Sequence, residues 1–303
     1  MIFMKENKIL TIAIPTYNRA PFLEKSLERI TNQLKGFEDK VELLISDNSS
    51  SDNTGEVVRK FIDQGIELKY NRNVINLGMD GNFVYCFQNA TSKYIWILGD
   101  DDYLVEETIP KLLNLIDSGN YGLIHLDNNK KYITETKIYS DTTKFVGDIS
   151  FMITFISANI VQTKYVPQID FDKYLGTYFT LIPVYLTAAI EEPNNLMVYF
   201  PVMEAPADDA RNGGYNIFEV FVTNYLNILK EFRFSLGYIW YESEKYKLCR
   251  KFIYGWMHRL LINSNHGLRF KTDNWFNIIF KKYWYEPYLY PMLILFWIKK
   301  ISK

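Results

Sequence analysis

Three adjacent carboxylates, Asp100, Asp101 and Asp102, follow Gly99 directly after the apolar run Lys93–Leu98. Like charges held this close repel one another. Hard cations such as Mg2+ or Mn2+ prefer carboxylate and phosphate oxygens and take few protein ligands beside a substrate's phosphates. A cation there would neutralise a diphosphate leaving group. Asp is also favoured in the first turn of a helix. One Asp would meet that demand; three at the end of a buried run favour a metal. Asp47 closes a second apolar run and opens the polar turn Asp47–Asn53. Its carboxylate suits either an N–H of a nucleobase or an Asx turn capping the next helix. Asn76-Leu77-Gly78 and Gly81-Asn82 precede a helix, where glycine lets a backbone approach a phosphate or ribose. That segment is neither a P-loop nor a GxGxxG fingerprint, and a plain loop would also satisfy it. His125, His258 and His266 lack metal-ligand spacing, and Cys86 and Cys249 have no paired partner.

These groups must be aimed by the elements between them. Ile9–Ile14 reads as a buried strand ending at Pro15. Pro21–Leu34 carries Phe22, Leu23, Leu27, Ile30 and Leu34 at helical spacing, with Pro in the first turn. Strands at Val41–Ser46, Glu67–Asn71 and Lys93–Leu98 alternate with helices at Thr54–Gln64 and Gly81–Ala90. Such alternation means βαβ units and a mostly parallel sheet, whose ligands bind beyond the C-terminal strand ends. The polar clusters Pro15–Arg19, Asp47–Asn53 and Asp100–Asp102 all fall at those ends. Further on, Glu107–Ile116 and Thr180–Ile190 read as helices. Tyr121–Asp127, Lys130–Tyr139 (antiparallel) and Leu196–Phe200 read as strands, Ile149–Thr163 fits either type, and Pro206–Tyr215 reads as a loop.

At 303 residues, the chain is one large domain or two modest ones. Apolar residues make up 48% and charged residues 23%, which excludes a disordered or fibrous protein. Two cysteines do not make a disulfide scaffold and fit a reducing compartment. The net charge of −1 conceals a split. Residues 225–303 hold 14 Lys/Arg and 5 Asp/Glu, giving +9, which leaves −10 on residues 1–224. The basic segment also carries 21 of the 50 aromatic residues and five of the six Trp. The acidic body and the absence of a nucleic-acid motif argue against nucleic acid as a partner. No signal peptide or spanning segment is read: the late apolar run Pro291–Ile298 is far below the ~20 residues a bilayer demands. Tyr283–Lys303 mixes Tyr, Trp and aliphatic residues with Lys299, Lys300 and Lys303. It suits either a membrane–water interface or the packed core of a helical subdomain.

Four ordered segments together resemble glycosyltransferase family 2: Thr11–Arg19 (TIAIPTYNR), Leu43–Thr54 (LLISDNSSSDNT), Asn73–Asn82 (NVINLGMDGN) and Tyr94–Leu104 (YIWILGDDDYL). The Gly-Asp-Asp-Asp form and the later Thr-Leu-Ile-Pro are similar to the abequosyltransferase-like branch, which makes bacterial surface polysaccharides. The resemblance implies a GT-A fold, an α/β Rossmann-like sheet, over 1–215, with 1–110 binding a nucleotide-sugar and 111–215 facing the acceptor. A helical, aromatic-rich region at 216–303 follows. It implies that Pro15, Tyr17 and Arg19 line the nucleoside pocket, Asp47 binds the base, and Asn76 and Asp80 lie near ribose or diphosphate. The family's Asp-x-Asp aligns so that Asp101 is its last Asp. Asp101 and Asp102 would then hold Mn2+ or Mg2+, with Asp100 beside the donor.

The family's Glu-Asp base pair has no counterpart in the matching stretch Gly176–Leu186. Asp208 and Asp209 are therefore the first choice of base, Asp172 the second, and Arg211 a diphosphate ligand. The acceptor implied is a glycan or lipid-linked oligosaccharide of O-antigen or capsule. The enzyme would be cytoplasmic and peripheral on the inner face of the membrane. A non-catalytic nucleotide- or glycan-binding scaffold is the alternative that the missing base leaves open. A nucleotidyltransferase would share the sheet but lacks a Gly-rich phosphate loop near residue 15.

Overall fold

The computed structural model describes residues 8–128, 135–204, 213–262 and 267–302. Two compact units divide the chain, Met1–Pro206 and Ala207–Lys303. The resemblance implies a boundary at 215/216, and the charge split falls at 224/225, both beyond this division.

In the first unit, β1 (Leu10–Thr16), α1 (Ala20–Leu34), β2 (Val41–Asp47), α2 (Thr54–Asp63), β3 (Lys69–Arg72), α3 (Gly78–Asn89) and β4 (Tyr94–Ile97) alternate as the periodicity predicts. Then follow β5 (Tyr103–Leu104), α4 (Thr108–Asp117), β6 (Leu123–Leu126), β7 (Thr136–Tyr139), α5 (Thr142–Ile149), β8 (Asn159–Gln162), α6 (Leu181–Glu191), β9 (Asn195–Val198) and β10 (Met203–Glu204). Among the described residues, eight strands form one sheet in the order β3-β2-β1-β4-β8-β6-β9-β7. Its contacts are parallel except where β8 meets β4 and β6 and where β7 meets β9. The segment that fitted either type, Ile149–Thr163, resolves into two 3-10 turns at Ser150–Thr154 and Ile156–Ala158, then β8. A short apolar run has no periodicity of its own, so only its pairing between β4 and β6 makes it a strand.

Pleating sends alternate residues to opposite faces. Ile12, Ile14, Leu43, Ile45 and Trp96 share one core with Leu23, Leu27 and Ile30 of α1, Val57 and Phe61 of α2, and Leu112 and Ile116 of α4. α3 packs on β1, β2 and β4, and α6 on β6 and β8. Phe87 of α3 joins these two helices through the rings of Phe171 and Tyr185. α6 is buried on nearly every side, and Gly122 makes its close approach to the sheet achievable. A Cβ at Gly122 would lie 2.0 Å from the Ala188 carbonyl oxygen.

This strand order fixes where a ligand can sit. The chain leaves β1 towards β2 and β3, then returns to β4 on the other side of β1. The crossovers therefore diverge between β1 and β4, which opens a crevice at their C-terminal ends.

The second unit is mainly helical, with α7 (Leu226–Glu231), α8 (Arg233–Leu236), α9 (Tyr238–Lys247), α10 (Tyr254–Leu261), α11 (Trp275–Tyr283) and α12 (Leu289–Ile301). Wider π-helical turns occupy Glu219–Tyr225 and Leu248–Ile253. The loop expected at Pro206–Tyr215 ends in a strand, Gly213–Asn216, parallel to Arg269–Lys271. The core is built from Phe221, Leu229, Trp240, Leu248, Met257 and Phe296. Lys245 is fully buried inside it; its ammonium donates to the Tyr285 hydroxyl at 2.7 Å and pairs with Glu286 at 2.5 Å. A charge at that depth is tolerable only with such partners.

Candidate active site

The crevice between β1 and β4 is closed at its floor by a charged cluster. β1 delivers Thr16, whose hydroxyl donates to Asp100 Oδ2 at 2.7 Å. Three residues on, Arg19 donates from Nε to Asp100 Oδ1 at 2.7 Å and from Nη2 to Asp101 Oδ2. The guanidinium also lies over the Phe22 ring, 4.4 Å from its centroid. Arg19 thus bridges two of the three carboxylates from the end of the neighbouring parallel strand. The third, Asp102, accepts from the Ser157 hydroxyl at 2.5 Å, and that hydroxyl accepts from the Gly99 N–H at 2.8 Å.

Burial pushes the Asp100 carboxyl up to about 6, with the Asp101 charge adding to it, against the pull of Arg19 and Thr16. Burial likewise pushes Asp102 up to about 6, opposed by Ser157 and reinforced by Asp101 and Asp100. One guanidinium faces three carboxylates, so negative charge is in excess in the cluster. Gly99 shows where a cation would fit. A Cβ there would stand 2.7 Å from Asp102 Oδ2 and 3.4 Å from Asp101 Oδ1. The missing side chain leaves a small cradle onto which both carboxylates converge. Among the described residues there is no group of three or more metal-ligating side chains. The cradle accordingly suits a cation held by two carboxylates and completed by a ligand's phosphates.

The other polar residues of the rim mostly bind one another. Asp47 is fully buried; Oδ1 accepts the Ser50 N–H and Oδ2 the Tyr70 hydroxyl, both at 2.8 Å. Asp52 accepts from the Ala20 N–H at the start of α1 and from Thr54 at the start of α2. Asn76 Oδ1 accepts from Asn48 Nδ2 and from the Gly78 N–H, each at 2.8 Å. Asn48, Asn73 and Asn82 extend this amide network from β2 to α3. Tyr17, Ile75 and Leu77 stay exposed at the same rim, and Pro15 is half-buried within β1.

Asp80, in the first turn of α3, reaches across to the segment before α6. Its carboxylate accepts the Tyr178 N–H at 2.9 Å and the Thr180 hydroxyl at 3.2 Å. Burial raises its pKa against those bonds. Tyr178 holds φ at +68°, a left-handed conformation that is uncommon for a tyrosine, and the Asp80 bond secures it. Asp172 is exposed on the turn Phe171–Lys173, and no hydrogen bond or ion pair among the described residues joins it to the acidic cluster. Asp208, Asp209 and Arg211 lie outside the described residues. Glu192 pairs with Lys164 and accepts from Tyr165 and Asn120. Those residues surround the beginning of β4, at the opposite end of the sheet. His125 is a satisfied core residue, held against Asn159 at 2.9 Å, with burial lowering its pKa to about 4.

Two site residues escaped the sequence reading. Thr16 lay inside a recognised segment but had no role until Asp100 was seen beside it. Ser157 sits in the run of ambiguous periodicity, and no local signal marks it.

The sequence profile of Glycosyl transferase family 2 matches residues 11–172. An abequosyltransferase of Salmonella typhimurium is 29% identical over 217 residues, covering 63% of this chain and 64% of the relative. A GalNAc(5)-diNAcBac-PP-undecaprenol beta-1,3-glucosyltransferase of Campylobacter jejuni is 34% identical over 122 residues, 40% of this chain and 37% of the relative. The match thus spans less than two thirds of either relative's length. Among solved structures, S. aureus TarS 1–349 in complex with UDP aligns with a TM-score of 0.63 at 17% identity, over 97% of this chain and 88% of that one. A mannosyltransferase from Pyrobaculum calidifontis, in complex with GDP-Man and Mn2+, aligns at 0.51 and 14% identity, over 97% and 87%. At such identities the likeness establishes the GT-A fold.

Proposed function

The chain belongs to glycosyl transferase family 2 and is a glycosyltransferase, and from that premise we propose that it moves a sugar from a nucleoside-diphosphate donor to a glycan hydroxyl. The observation that carries this reading is the Arg19–Asp100–Asp101 bridge at the switch point of the sheet. It supports the reading by joining one fixed cation to an acidic cradle at the strand ends where sheets of this order bind ligands.

In the transfer, an acceptor oxygen bonds to the anomeric carbon while the bond from that carbon to the diphosphate breaks. The departing diphosphate takes the electron pair. Arg19 holds its guanidinium at the site where that negative charge grows, fixed in advance by two carboxylates and the Phe22 ring. Asp101 and Asp102 are the residues that would hold Mn2+ or Mg2+; a bound divalent cation supplies charge neutralisation for the leaving diphosphate. Asp47 shapes the turn beneath the base, with Tyr17 and Pro15 as its apolar surroundings. Asn76 and Asp80 position the α3 start near ribose and diphosphate, and Arg211 is assigned a further phosphate contact. Asp208 or Asp209 is assigned the acceptor proton, with Asp172 as the second choice. One named relative acts on an undecaprenol-linked oligosaccharide, which supports a lipid-linked glycan of O-antigen or capsule as the acceptor proposed here. A lipid-linked acceptor would put the enzyme at the inner face of the cell membrane.

Calorimetry with UDP, GDP, CDP and dTDP, with and without Mn2+, tests the donor site. The expected result is metal-dependent binding of one nucleotide, lost in Asp101→Ala. A folded protein that binds none of the four overturns the transferase reading of this crevice.

A further inference from the structure

α12 is apolar on two opposite sides, and only one of them is packed. Leu289, Met292 and Phe296 are buried at helical spacing. Tyr290, Ile294, Trp297, Ile298 and Ile301 follow the spacing of a second stripe, and all are exposed. Leu295 widens it. Exposure reaches 60% at Ile294, 53% at Leu295, 58% at Ile298 and 83% at Ile301. Scattered exposed apolar residues are ordinary, but a continuous stripe along one helix marks a contact surface. At about 100° per residue, Trp297 and Leu295 form the two edges of this arc. Lys300 borders the Trp297 edge, and its ammonium stands 5.1 Å from the Trp297 ring centroid. Lys299 borders the Leu295 edge. Just before the helix, Trp284 is exposed, and its carbonyl accepts the Tyr290 hydroxyl.

We propose that this outer face of α12 seats the protein on an anionic phospholipid surface, lying in the plane of the interface. A helix of 13 residues is about 20 Å long against the ~30 Å hydrocarbon core, a length that suits lying along the interface. Among the described residues no helix is long and apolar enough to cross a membrane. The ordering of side chains fits lipid. Aliphatic residues form the centre of the stripe, Trp and Tyr stand at its edge, and lysines at both borders would reach headgroup phosphates while their stems stay apolar. The +9 charge of residues 225–303 favours the same anionic surface. A second copy of this chain is a poorer occupant, because it would set the two lysines against their own kind. This inference is independent of the transfer reaction.

Vesicle co-sedimentation of the full chain tests it, with phosphatidylcholine alone and with phosphatidylglycerol added. Binding is expected on the anionic vesicles and should weaken with salt. Lys299→Gln with Lys300→Gln should lower partitioning roughly thirtyfold, at about tenfold for each 1.4 kcal/mol and ~1 kcal/mol per lysine. Ile294→Ser with Ile298→Ser should abolish it while leaving the melting temperature unchanged, since neither side chain is packed. In the unmodified protein, brominated lipid should quench tryptophan fluorescence. Absence of binding, binding indifferent to both pairs of substitutions, or a dimer in sedimentation velocity that Ile294→Ser with Ile298→Ser dissolves would each overturn the proposal.

Discussion

Arg19 and Asp100 form a partly buried ion pair in which the carboxylate is almost wholly enclosed, and removing Arg19 leaves that charge without its partner. Arg19→Ala should therefore destabilise the fold by about 3 kcal/mol, read from urea unfolding. Arg19→Lys should restore only part of that. A single ammonium does not reproduce a fork that donates from Nε to one carboxylate and from Nη2 to another. Asp102 should behave in the opposite way. Its carboxyl titrates near 6 in the folded chain, against an ordinary value of 3.8. Between those values the folded state holds protons that the unfolded state has released. The stability contributed by Asp102 is thus complete below pH ~4, falls as pH rises to about 6, and stays lost above that. Asp102→Asn, stripped of metal by a chelator, should melt higher than the parent at pH 7 and lose that advantage towards pH 4. The gain should be about 1–3 kcal/mol, and sugar transfer should fall in the same variant. A difference in melting temperature between Asp102→Asn and the parent that does not widen from pH 4 to pH 7 would contradict the account. Of these residues, the acidic triplet was plain in the sequence because three like charges at a strand end demand an explanation. Arg19 was visible as a rim residue but not as the bridge, since its partners lie 81 and 82 positions away.

Strands and helices carry the site by holding their ends still. α6 lies so close to β6 that Gly122→Ala would put a methyl group 2.0 Å from a carbonyl oxygen. That substitution should cost about 1–3 kcal/mol or more in denaturant unfolding, whereas Ala is neutral at most exposed positions. Asp80 acts between elements, tying the α3 start to the turn that opens α6. Asp80→Ala should release Tyr178 from its left-handed backbone. Amide hydrogen exchange at residues 176–180 should accelerate, with little change across β1, β2 and β4. Protection unchanged at Tyr178 and Thr180 would show that the turn holds itself. The first seven elements were legible because short β-rich apolar runs, each ending in a polar turn, alternate with segments of helical spacing. β8 was not, because four residues of buried strand look like four residues of buried helix until their neighbours are known.

Charge is divided along the molecule as a whole, −10 in residues 1–224 and +9 in residues 225–303. A net charge of −1 predicts weak retention on a cation exchanger near neutral pH, but a local excess of fourteen basic residues over five acidic ones predicts retention. The protein should bind such a resin at pH 7.5, above its sequence pI of about 6.4, and elute with moderate salt. Passage in the void would mean that the basic residues are neutralised within the fold. Lys245 shows that some are: buried beside Glu286 and Tyr285, it contributes nothing to an outside partner.

By itself, the amino-acid order determined the α/β class, the alternation of elements to residue 98, the family and the acidic motif. Each of these is written in local spacing or in short contiguous segments. Only tertiary structure decided which polar rim residues face inward. Asp47, Asn76 and Asp80 each accept a hydrogen bond from a residue more than twenty positions away, the Tyr70 hydroxyl, the Asn48 amide and the Tyr178 N–H. It also decided that Thr16 and Ser157 support the carboxylates, and that α12 has one packed face and one open face. A side chain's partners depend on which strand ends come together, and strand order is a long-range property that no window of sequence contains.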